Sequence, residues 1–75
     1  MKRWFEDVVV GDELIPDPCW NKTAGRGKQL PDRCKVSDVA ENCGQSRRAF
    51  TVNTLGGYPI ALDAGWFVRK AEQEG

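Results

Sequence analysis

The chain has 75 residues with 11 Lys and Arg against 11 Asp and Glu, no His, three Cys, three Trp and three Phe. A chain this short makes one small domain with a thin stability margin and little room for a deep cleft. Zero formal charge argues against a strong non-specific nucleic-acid binder, which needs surplus cations to displace counterions. The absence of His excludes imidazole acid–base chemistry and, with Cys19, Cys34 and Cys43 outside any CxxC spacing, a structural zinc site.

In chain order, the start Met1–Asp7 has no apolar run of the signal-peptide kind, and no stretch approaches a membrane span. We therefore expect a cytoplasmic protein with reduced thiols, partly in the core, and no cofactor or metal. Val8-Val9-Val10, the turn pair Gly11-Asp12 and Glu13-Leu14-Ile15-Pro16 form a first strand region, and Pro16 and Pro18 disfavour a central, fully paired strand there. Residues 17–32 are rich in Gly, Pro and Asn without a period and read as a long loop, a frequent place for function. Cys34 and Val36 alternate with polar neighbours as a half-buried strand does, up to Val39. After a turn at 41–46, Arg48, Phe50, Val52 and Thr54 share one strand face. Gly56-Gly57 signals a hairpin, Tyr58, Ile60 and Leu62 are in phase, Asp63-Ala64-Gly65 turns, and Trp66-Phe67-Val68 closes the fold. Residues 69–75 read as a charged, frayed tail, the structured part running from about 4 to 69.

The sum is an all-β domain of five short strands with a long loop after the first. Cys34-x-Val36-x-x-Val39, Phe50-x-Val52, Gly56-Gly57 and Leu62-x-x-x-Trp66-Phe67 resemble the pattern of small SH3-like barrels encoded by phages and mobile elements. That resemblance implies a non-enzymatic accessory protein that docks on a host protein. It does not extend to the Ala-Leu-Tyr-Asp-Tyr motif of signalling SH3 domains, so proline-rich peptide binding is not implied.

Charge is uneven: residues 1–21 sum to −3 and residues 22–48 to +4. A basic middle and a long loop place the candidate partner surface at Trp20, Arg26, Lys28, Arg47 and Arg48. Gly25-Arg26-Gly27-Lys28 is a basic glycine hook, and an exposed Trp20 would serve as a protein anchor or a stacking platform, its alternative role being to cover one end of the barrel. Exposed strand edges allow a monomer or a weak homodimer.

A helical alternative exists. Val36, Val39, Ala40 and Cys43 have helical spacing, and residues 36–47 resemble the helix-turn-helix of lactose-repressor-type regulators. The resemblance implies nucleic acid as partner, with Ser46, Arg47 and Arg48 opening a recognition helix within residues 36–52. The β-branched run at 50–54 and the Gly pair that follows oppose it. Trp4–Leu14 is also similar to the opening of hot-dog-fold enoyl-CoA hydratases, whose catalytic His this chain lacks.

Overall fold

The computed structural model describes residues 3–71. Most of the regular structure is strand, in two three-stranded antiparallel sheets. Six strands run β1 Glu13–Pro16, β2 Cys34–Lys35, β3 Asp38–Glu41, β4 Arg48–Asn53, β5 Pro59–Asp63 and β6 Phe67–Lys70. One sheet has the order β2-β1-β6 and the other β3-β4-β5.

The all-β expectation therefore stands, while the strand count and the barrel need correction. The expected strand over 34–39 is two. The Val36 amide donates to Asp12 O (2.8 Å), so it still belongs to the first sheet. The Ser37 amide donates to Thr51 O (2.8 Å), and from there the chain belongs to the second. One bent segment thus serves both sheets, and the two ladders do not join into a closed barrel.

Local chemistry explains most boundaries. At the start, the Arg3 amide donates to Glu6 Oε2 and a 3-10 turn spans Trp4–Asp7. Asp12 then closes a turn: its carboxylate accepts from the Val9 amide (3.0 Å) and its own amide donates to Val9 O (3.1 Å). Contrary to the proline argument, β1 is the central strand of its sheet. Two features reconcile this: β1 is only four residues long, and its pairing with β6 shifts register between Ile15 and Pro16, where the N–H is missing. At the other end Arg69 and Lys70 pair with Ile15 and Leu14, so the tail becomes irregular later than expected; residues 72–75 lie outside the described residues.

The β4–β5 hairpin follows the sequence closely. Phe50, Val52 and Thr54 are buried in phase, and Gly57 takes the positive φ (+86°) that the turn requires. The core lies between the sheets. Leu14, Cys34 and Phe67 come from one sheet, Phe50, Val52 and Leu62 from the other, and Phe5, Val8, Leu30, Val36 and Ala64 close it from the connections. The Phe50 and Phe67 rings meet at 6.1 Å between centroids.

Candidate functional site

The long loop is where the structure departs most from the sequence reading. Residues Pro18–Thr23 form helix α1, capped by Asp17, whose Oδ1 accepts from the Cys19 amide (2.8 Å). Asp before Pro is a cap followed by a first-turn proline, and that pair was the available signal. The Asp17 amide donates to Trp66 O (2.8 Å), fixing the loop against the 3-10 turn Ala64–Trp66.

The rest of the loop is pinned by side chains. Asn21 Nδ2 donates to Leu30 O (2.9 Å), and Asn21 Oδ1 accepts from the Leu30 amide (2.7 Å). Gln29 Nε2 donates to Asn21 O (2.8 Å) and Ala24 O (2.9 Å). The Leu55 amide donates to Gln29 O (2.9 Å), tying the loop to the β4–β5 hairpin, and Leu30 is driven into the core.

Of the expected surface residues, Trp20 is half-buried. Its Nε1 donates to Lys28 O (2.8 Å), and its ring meets Trp66 edge-on at 5.0 Å and 71°. It covers the core, the second of the roles weighed for it. Arg26 and Lys28 are exposed beside a turn in which the Lys28 amide donates to Gly25 O (3.1 Å). Arg47 is exposed with φ +63°. Arg48 is largely inside: its guanidinium donates to Phe5 O and Val8 O, lies 3.4 Å from Glu41 Oε1 and stands 5.5 Å from the Phe50 ring centre. The helix-turn-helix alternative fails on geometry, because residues 38–41 and 48–53 are strands joined by an irregular turn and no helix occurs between Val36 and Val52.

The structure thus sets Trp20, Arg26 and Lys28 on the loop, and Arg47 and Arg48 at the start of β4. A groove of about 490 Å³ is lined instead by Asp17, Gly44, Gln45, Asp63, Gly65 and Trp66, none of them among the five expected surface residues. Trp66 supplies an aromatic wall, 37% exposed, backed by Trp20. The sequence reading placed Trp66 in the segment that closes the fold and named no site there. What it could not supply was the meeting of residues 17, 44 and 63–66.

Asp63 organises the groove. Its carboxylate accepts from the Ser46 amide (2.9 Å), the Ser46 hydroxyl (2.8 Å) and the Gly65 amide (2.8 Å), joining the β3–β4 turn to the 3-10 turn. Burial opposes ionisation, but these donors outweigh it and hold the carboxyl below its usual range. Gly44 (φ +75°) lies against the same carboxylate: a Cβ there would strike Asp63 Oδ1 and come within 3.2 Å of Cγ.

Other features of the surface are less well formed for recognition. A larger hollow of about 620 Å³, with Pro16, Asn21, Arg33 and Arg69 in its lining, has no aromatic wall. The Cys34 thiol is pushed up to about 11 by burial and by the charge of Asp32, which keeps it protonated and unreactive at neutral pH. Cys19 and Cys43 are exposed free thiols. Among the described residues no cluster of His, Cys, Asp or Glu could hold a metal ion, and no helix is long and apolar enough to cross a membrane.

Comparison with protein families, with curated proteins and with solved structures returned no match.

Proposed function

We propose that this chain is a non-enzymatic binding module of SH3-like architecture that docks on a protein partner through the Trp66 groove. The docking role is the one implied by its resemblance to phage and mobile-element accessory proteins. Support for the architecture comes from the element order: a long loop after β1, a bent segment shared by two sheets, a hairpin, then a 3-10 turn before the last strand. The observation that carries the docking reading is the preset Trp66 indole, fixed edge-on by Trp20 and flanked by Gln45 and Asp17. Aromatic side chains held in place beforehand lose little entropy on binding, and they dominate interface energetics.

The test is site-specific photo-crosslinking from Gln45, with the exposed Lys35 as the control position. A discrete adduct from position 45 and none from position 35 is expected. Trp66→Ala should weaken that partner by about thirtyfold or more, the scale of an interface anchor. Because Trp66 also packs on Trp20, Gln45→Arg serves as a second, exposed variant that leaves the fold intact. No adduct, or the same adducts from both positions, would overturn the reading.

A further inference from the structure

On the far side of the β3–β4 turn lies a second hollow, of about 330 Å³, with Arg3, Phe5, Glu6, Gln45, Arg47 and Arg48 in its lining. Its lining carries three arginines against one carboxylate, Glu6. The Arg48 side chain is 14% exposed, its two terminal nitrogens go to neutral carbonyls, and its buried Nε has no hydrogen-bond partner among the described residues. Glu41, 3.4 Å away, has a side chain that is 71% exposed, so water screens most of its charge. The carboxylate inside the hollow, Glu6, is engaged by the Arg3 amide. The Arg3 guanidinium stands 5.7 Å from the Phe5 ring centre, and that of Arg47 makes no hydrogen bond or ion pair among the described residues.

The base of Arg47 is nevertheless fixed. Its amide donates to Gly44 O (3.2 Å), and its carbonyl accepts from the Asn42 amide (2.7 Å). Three arginines therefore line one hollow, beside the Phe5 ring, whose lining holds a single carboxylate, Glu6. Guanidinium pairs best with a planar carboxylate or a phosphate, through paired N–H donors.

We infer that this hollow is a carboxylate-binding site that receives an Asp or Glu side chain of the partner. The inference rests on the docking reading above and adds the partner's chemistry to it. Gln45 lines both hollows, so one bound segment can lie along Trp66 and place an acidic side chain across the turn. A carboxylate is favoured over a nucleic-acid backbone because zero formal charge gives no long-range attraction for a polyanion.

The test titrates the intact chain with a capped Gly-Glu-Glu-Glu-Gly peptide and with its Gln counterpart, following the arginine Nε–Hε signals by NMR. The acidic peptide should shift the Arg47 and Arg48 signals and the Gln peptide should not. Arg47→Gln should weaken the acidic peptide by about tenfold, the value of one charge-assisted contact. Equal responses to both peptides, or no response, would overturn the inference, as would a response to inorganic phosphate without one to the acidic peptide. Partner capture that survives Arg47→Gln but is lost in Trp66→Ala would leave the docking reading standing and overturn the acidic-partner inference alone.

Discussion

The β3-β4-β5 sheet and the loop from Asp17 to Arg33 are held in opposite ways. The sheet is redundant: four residue pairs join β3 to β4, five join β4 to β5, and Phe50, Val52 and Leu62 enter one core. The loop has one short helix and a few backbone bonds, and relies heavily on single side chains, namely Asp17 at the cap, Trp20 on Lys28 O, Asn21 clamping Leu30 and Gln29 closing the turn. Periodic structure spreads its stability over many equivalent contacts. The loop concentrates it in a few, and the groove depends on them through Asp17 in its lining and Trp20 behind Trp66.

That contrast can be broken in a graded series. Phe50 is fully buried between the sheets, and Phe50→Ala should cost about 3–5 kcal/mol, enough to unfold much of so small a domain. Denaturant unfolding checks it, and a loss below about 1 kcal/mol would mean that the sheets do not share this core. Asn21→Ala removes both clamps on Leu30 and should cost about 2 kcal/mol. The sharper expectation is local: protease cleavage between residues 22 and 30 should rise while the β4–β5 amides stay protected. Uniform loosening of both regions would erase the distinction drawn between them.

The smallest effect is in acid. The Asp63 carboxyl sits below its usual range in the folded chain, so it contributes stability that is fully present above the pKa of the unfolded form. That contribution is lost as pH falls through the lowered folded value. Stability should therefore be flat in this component above about pH 5 and decline below about pH 4, and Asp63→Asn should remove that part of the decline. A variant with an unchanged acid limb would mean that Ser46 and Gly65 do not hold the carboxylate.

The same contrast explains what could be read from the sequence. The sheet was legible because alternation is a local signal: Phe50, Val52 and Thr54 face the core as their spacing requires, and the Gly pair marks the hairpin. Arg48 was in phase with those residues too, and that phase foretold an inward guanidinium better than its charge foretold a surface one. The split after Val36 was hidden, since a bend that exchanges hydrogen-bond partners from Asp12 to Thr51 leaves no mark on polarity. In the loop, the cap Asp17-Pro18 was visible locally. The Asn21–Leu30 clamp and the convergence of Asp17, Gln45 and Trp66 are long-range meetings that no window of sequence contains.

The long loop, fixed in place, backs the groove through Asp17 and through Trp20 behind Trp66. Native-state hydrogen exchange of the intact chain tests this most directly, at the Leu30 amide bonded to Asn21 Oδ1 and at the Trp20 indole N–H bonded to Lys28 O. Both should exchange far more slowly than free-chain values and within reach of the β4 amides. Exchange at free-chain rates, with β4 still protected, would mean that the loop is open, that Trp66 lacks its backing, and that the groove does not exist before a partner arrives.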